Sequence, residues 1–189
     1  MTITHRTYLT STSIVNGIMI QLLSFGPGDF DQLISWAPTP EILLQFAGPD
    51  FNFPLTHGQL EQSIKTVGRH SYNVVDSLTG ASIGHAEIVV TNTNAHLCRI
   101  LIGEEELRGR GIGQKIVNEL LSKSFGELEC RTSSLYVYDW NKAAVECYRK
   151  EGFTVSGERK VSSIGNEQWV ALRMIHDREK WKAIQKVTE

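Results

Sequence analysis

The chain has 189 residues, of which 41% are hydrophobic and 21% charged, values that suit one globular domain with a sizeable core. A formal charge of −2 lacks the basic excess that a nucleic-acid surface needs, and no apolar run reaches membrane-span length, so neither nucleic acid nor membrane is an expected partner. Three cysteines and six histidines fall at no metal-ligand spacing, and no metal site is expected.

In chain order, residues 1–16 read as an extended, Ser/Thr-rich amino-terminal segment. Its layout is not that of a secretory signal, because Asn16, Gly17 and Gln21 interrupt the best apolar stretch, which makes a cytoplasmic location the expectation. Asn16-Gly17 suits a hairpin turn with positive φ, followed by a strand over Ile18 to Ser24. Gly26 to Asp29 caps a helix carrying Phe30, Leu33, Ile34 and Trp36, and Pro38-Thr39-Pro40 breaks it. A short helical pattern follows from Glu41 to Phe46. Thr56, with Gln59 three residues on, has the form of a capping box for a helix to about Val67. Strands are expected over Tyr72 to Asp76, Ser82 to Thr91 and Ala95 to Ile102, with turns at Leu78-Thr79-Gly80 and Asn92-Thr93-Asn94. After the central motifs come strands over Thr154 to Val161 and Gln168 to Met174, joined by a Gly165-Asn166 turn. Residues 177–189 read as a polar terminal helix anchored by Trp181 and Ile184.

The densest information lies from Ala95 to Lys123. Leu97 to Ile102 is an apolar β-rich run, and Ile112, Ile116, Val117, Leu120 and Leu121 repeat at a helical period with one buried face. Between them, Arg108-Gly109-Arg110-Gly111-Ile112-Gly113 is a glycine turn opening into the helix. The first amides of such a helix have no internal partner and sit at the positive end of its dipole, so strand, turn and helix make a phosphate site. Arg108 and Arg110 add the means for charge-assisted contacts. The glycine spacing does not fit the dinucleotide fingerprint, and no Gly-Lys-Ser/Thr triplet completes a Walker loop. It does fit Arg/Gln-x-x-Gly-x-Gly/Ala, filled by Arg108, Gly111 and Gly113. A plain tight turn is the competing reading.

A second stretch follows. Ser134 to Tyr138 is β-rich. Asn141 suits an N-cap, Gly152 suits a helix C′ position, and Phe153 can fold back on the helix. Asn141 and Tyr148 are seven residues apart, about two turns, and face the same way. Asn141, Ala144, Tyr148, Gly152 and Phe153 fill the pattern Asn-x-x-Ala-x-x-x-Tyr-x-x-x-Gly-Phe. The two motifs, in this order and spacing, resemble those of the GNAT superfamily of N-acetyltransferases over Ala95 to Phe153.

That resemblance implies a single α/β (α+β) domain over 1–189. Its sheet is mixed, mostly antiparallel and flanked by helices, and the central strands at Leu97 to Ile102 and Leu135 to Tyr138 splay apart. It implies acetyl-CoA as cosubstrate. The backbone of Ile100, Leu101 and Ile102 would pair with the pantetheine arm as a strand does. Amides from Gly109 through Arg110, Gly111, Ile112 and Gly113 to Gln114 would hold the pyrophosphate, and Asn141 would contact the pantetheine arm. Tyr148 becomes the catalytic candidate, donating a proton or hydrogen bond to a departing thiolate; as a core tyrosine it would do neither. An amine also needs a base, for which Glu87 is the first candidate, with His85, His96 and Glu104 to Glu106 as others. Trp36, Phe46, Phe51 and Phe53 are candidates to line an acceptor entrance, and Glu41, Asp50 and Glu87 to attract a cationic amine. The expected function is acetyl transfer to a primary amine, a protein N-terminus or a small amine, by direct attack in a ternary complex. A catalytically idle acyl-CoA-binding module is the alternative. Many members of the family are dimers, which extends the resemblance to a homodimer using the terminal helix.

Overall fold

A computed structural model describes residues 17–164 and 167–188. The expected extended segment at 1–16 and the Gly165-Asn166 turn lie outside the described residues. Seven strands form one sheet: β1 (Ile20–Ser24), β2 (Arg69–Asp76), β3 (Ser82–Thr91), β4 (Asn94–Ile102), β5 (Thr132–Tyr138), β6 (Thr154–Ile164) and β7 (Glu167–Asp177). Their order is β1-β2-β3-β4-β5-β7-β6. Only β4 and β5 run parallel; every other neighbouring pair is antiparallel. This is the mixed, mostly antiparallel α/β sheet that the sequence suggests.

Local signals account for most boundaries. Helix α1 (Phe30–Ser35) ends before Pro38, and α2 (Pro40–Ala47) starts with proline in its first turn and Thr39 Oγ1 accepting from the Ile42 amide at 3.3 Å. Thr56 caps α3 (His57–Ile64) in the same way, at 3.4 Å from the Gln59 amide. The expected capping box is only half made, because Gln59 turns back to the preceding loop and bonds both the amide and the carbonyl of Asn52. Helix α3 also stops at Ile64, short of Val67. Helix α4 (Ile112–Ser122) runs into a π-helical turn over Lys123–Glu127, and α5 (Lys142–Lys150) and α6 (Arg178–Thr188) complete the helices.

The sheet separates two cores. On one face Ile116, Val117, Leu120 and Leu121 of α4 pack with Ala95 and Leu97 of β4, Leu135 and Val137 of β5, and Phe153. On the other, Phe30, Leu33, Leu43, Phe46 and Leu60 of α1–α3 form a second cluster that takes in Leu101. Among the described residues no helix is long and apolar enough to cross a membrane.

Candidate active site

Strands β4 and β5 are paired only at their starts, from Asn94–Thr132 to His96–Ser134. Beyond His96 they separate. The cause lies in β4: the register with β3 shifts between His85 and Glu87, and Arg99 has a φ of +51°. A bulged strand with one residue in the left-handed region bends and twists away from its neighbour. The gap leaves Ile100 to Ile102 without a strand partner on the β5 side and opens at the carboxyl ends of two parallel strands, where open α/β sheets place their ligands. It belongs to a continuous cleft of about 1030 Å³.

At one mouth of the cleft stands the amino terminus of α4. Gly111 is its N-cap, with φ at +79°, and Gly109 before it is at +74°. A side chain would strain both positions. The amides of Ile112 and Gly113 precede the first helical bond, Lys115 N to Gly111 O at 3.3 Å, and are free to meet an anion. Arg108 lines the cleft beside this turn. Its guanidinium donates to the Ile102 carbonyl at 3.2 and 3.3 Å and to the Gly103 carbonyl at 3.4 Å, and it pairs with Glu105 at 3.3 Å. It therefore ties the loop to the end of β4. Arg110 reaches the Glu106 carbonyl at 3.5 Å, and Gln114 donates to Glu151 at 3.4 Å.

Helix α5 borders the other side of the gap. Asn141 Oδ1 accepts from the Ala144 amide at 3.2 Å, which makes Asn141 an N-cap; it also lines the cleft. The helix ends in a Schellman motif, with Phe153 N bonded to Tyr148 O and Gly152 N to Arg149 O, both at 3.0 Å. Gly152 has φ at +91°, and the Phe153 ring closes on the Tyr148 ring with centroids 6.1 Å apart. The motif thus fixes Tyr148, which lines the cleft. Burial, and then Cys147, push the Tyr148 hydroxyl well above its ordinary range, so it keeps its proton. Cys147 is likewise raised by burial, to about 11, and stays a thiol.

Glu87 is set beneath this cleft and is absent from its lining. Its carboxylate pairs with Arg69 and with Arg99 at 3.1 Å, and bonds His85 at 3.2 Å and the Ser71 hydroxyl at 3.3 Å. Burial alone would raise it, but the His85 hydrogen bond and the charges of Arg99 and Arg69 outweigh burial and hold it at about 2. A carboxylate so held has almost no affinity for a proton at neutral pH. His85, which shares its face as the alternation suggests, is enclosed by Phe25 and Phe46. Cys98, opposite Glu87, is raised by burial and by the Glu87 charge to about 12.

His96 does line the cleft, with Nδ1 3.3 Å from the Ser134 hydroxyl. Burial, followed by the charges of Lys160 and Arg173, lowers it to about 4, so the imidazole is neutral. Of the aromatic residues considered for an entrance, Phe46 lines the cleft and Trp36 is buried, donating to Glu104 at 3.2 Å. Phe51 lies under the Arg99 guanidinium, 4.0 Å from ring centre to carbon, and Phe53 is exposed. Asp50 is in the lining and pairs with Arg99 at 3.2 Å, whereas Glu41 is not. Sequence reading passed over Lys160, which lines the cleft from β6 with its ammonium 4.0 Å from the centre of the Tyr136 ring. Strand alternation puts a lysine on one face there but cannot say that the face borders a cleft.

Residues 38–153 match the acetyltransferase (GNAT) family. Among solved structures, a spermidine N-acetyltransferase from Vibrio cholerae in complex with CoA and spermine superposes with a TM-score of 0.73 at 23% identity, covering 86% of this chain and 98% of that one. Mutant forms of the spermidine/spermine N-acetyltransferase from the same organism give 0.71 at 20% identity, covering 88% and 98%. A dodecameric form of that enzyme gives 0.69 at 21%, covering 86% and 95%. At such identities the likeness is one of fold.

Proposed function

The chain belongs to the acetyltransferase (GNAT) family, and on that premise we propose that it moves the acetyl group of acetyl-CoA to a primary amine, of a small molecule or a peptide, by direct attack in a ternary complex. One observation carries this reading: β4 and β5 part after three paired residues, with the open amides of α4 at one mouth of the gap and Tyr148 lining it. Those features fit the cosubstrate. Gly109 to Gln114 would hold the pyrophosphate, Ile100 to Ile102 would pair with the pantetheine amides, and Asn141 would line the arm. Arg108 would act one step back, by holding the loop in place.

Acetyl-CoA supplies the activated acyl carbon as a thioester. The amine nitrogen forms the new bond to that carbon while the carbon–sulfur bond breaks, and the proton that the nitrogen sheds on becoming an amide passes through solvent to the departing thiolate. Tyr148 keeps its own proton, so its role is to donate a hydrogen bond to the departing sulfur rather than to hand over a proton outright. Glu87 is held ionised below the cleft, at about 2, and is not the proposed acceptor of the amine's proton; His96, at about 4, is a weak one. The amine is proposed to lose its proton to solvent through the open groove before it attacks. The polyamine named for the solved neighbours is one member of this class of acceptors.

Two measurements test the reading. Thermal unfolding with acetyl-CoA or CoA at about a hundredfold over the dissociation constant is expected to show roughly 2.7 kcal/mol of stabilisation, about 2–4 °C for each kcal/mol, with no shift from ATP. Thiol release across a panel of amines then separates an enzyme from an idle acyl-CoA-binding module, which would show the shift and release nothing. Tyr148→Phe is expected to lower kcat by about 10²–10³-fold and to keep the thermal shift. Unchanged kcat would remove Tyr148 from the chemistry. A cytoplasmic location, supported by three free thiols, and self-association, supported by the dodecameric neighbour, complete the proposal; light scattering checks the second.

A further inference from the structure

Resting on the acetyl-transfer reading, we infer that the acceptor amine carries an anionic group, a carboxylate or a phosphate, that is met by Lys160. The acceptor side of the cleft is bounded by the end of α2 and the turn to Asp50 on one side and by β5 and β6 on the other. Its charges do not suit a polycation. Two carboxylates line the whole cleft, Asp50 and Glu146. Asp50 is neutralised by Arg99 at 3.2 Å. Glu146 stands on α5, beside Arg149 at 3.9 Å. Glu87 lies below the cleft, held by two guanidiniums.

Lys160 has the opposite character. Among the described residues no carboxylate pairs with it, and its ammonium is held over the Tyr136 ring at 4.0 Å. Such a cation–π contact fixes the direction of the ammonium while leaving its donors free. Register adds a second cation: Arg173 is the cross-strand partner of Tyr136, on the same face of the sheet, and its charge is shared with the exposed Glu158. His96 stands beside Tyr136 with ring centroids 5.8 Å apart, and burial, then the charges of Lys160 and Arg173, keep it neutral, so it offers no further charge there. The field of Lys160 and Arg173 favours an acceptor whose anion seats on Lys160. It also disfavours the ammonium form of the amine, which is the form that must be lost before attack.

The test is a set of matched acceptors assayed by thiol release: Nα-acetyl-lysine against its carboxamide, phosphoethanolamine against ethanolamine, and spermidine. The expected result is that the anionic member of at least one pair is preferred by about tenfold in kcat/KM, chiefly through KM, and that spermidine is poorer than that member. Lys160→Gln is expected to erase the preference and Lys160→Glu to reverse it. Equal rates within both pairs, a preference for spermidine, or a preference that survives Lys160→Glu would each overturn the inference while leaving acetyl transfer intact. No thiol release with any of these acceptors or with the wider amine panel would overturn the acetyl-transfer reading and this inference with it. Lys160 is exposed on β6, so its substitution is expected to leave folding intact, as an unchanged coenzyme-induced thermal shift would verify.

Discussion

Among single residues, Glu87 shows how context assigns a role. Residue type and strand position make it a base candidate, yet its side chain is 3% exposed and faces two guanidiniums. Breaking such a buried arrangement from one side leaves uncompensated charge, at a cost of about 3–5 kcal/mol. Glu87→Gln is therefore expected to lower the Tm by roughly 6–20 °C, measured by calorimetry, without introducing a new limb in the pH profile of the residual activity. The profile itself is expected to rise with pH as the amine loses its proton. Two acceptors of different amine pKa should move that limb by the difference between them; a limb that stays fixed would point to a protein base. Tyr148 is the opposite case, since its side chain lines the cleft itself.

At the scale of elements, the turn before α4 and the bulge in β4 build the cleft together. Gly111 has no neighbour within 4 Å of an added Cβ, but its φ of +79° does not suit a side chain. Gly111→Ala is expected to cost about 1–2 kcal/mol and to weaken coenzyme binding, as titration calorimetry would show. Gly113, two residues on and inside the helix, would place a Cβ in ordinary contact with Cys147 Sγ at 3.5 Å. Gly113→Ala is expected to leave the Tm nearly unchanged, and a large loss would mean that α4 and α5 pack more tightly than this. Gly103 is required for a third reason, because a Cβ there would fall 2.0 Å from the Trp36 ring. That contact fastens α1 to the end of β4.

Over the whole molecule, acid is expected to act through groups with lowered folded-state pKa values. His96 is lowered to about 4. His176 is lowered by burial, has no hydrogen-bond partner for either ring nitrogen among the described residues, and packs between Phe125 and Phe153. An unfolded histidine binds its proton near pH 6.5 while these do not, so stability is lost as pH falls below about 6.5. Glu87, depressed when folded, contributes stability that is present above about 4.5 and lost as pH falls towards 2. Denaturant unfolding is expected to give a falling stability from pH 6.5 to 4, with a shallower slope for His176→Leu. An unaltered slope would show that His176 is not the residue that titrates.

Sequence alone determined the family, the order and type of most elements, the glycine turn before α4 and the two-turn spacing of Asn141 and Tyr148. These are local properties: helical period, capping residues and positive-φ glycines act within a few residues of themselves. Whether each proposed side chain touches a ligand is not among them. The bulge at Arg99 has no local signature, since Leu97 to Ile102 contains no glycine, proline or asparagine to mark a left-handed residue. Only the sheet, by pairing β4 with both β3 and β5, decided where the strands part. Only the approach of α3, β2 and β4 enclosed Glu87 between Arg69 and Arg99, and only the return of β6 beside β7 carried Lys160 to the cleft. Each depends on residues far apart in the chain meeting across the fold, and spacing along one strand does not encode that.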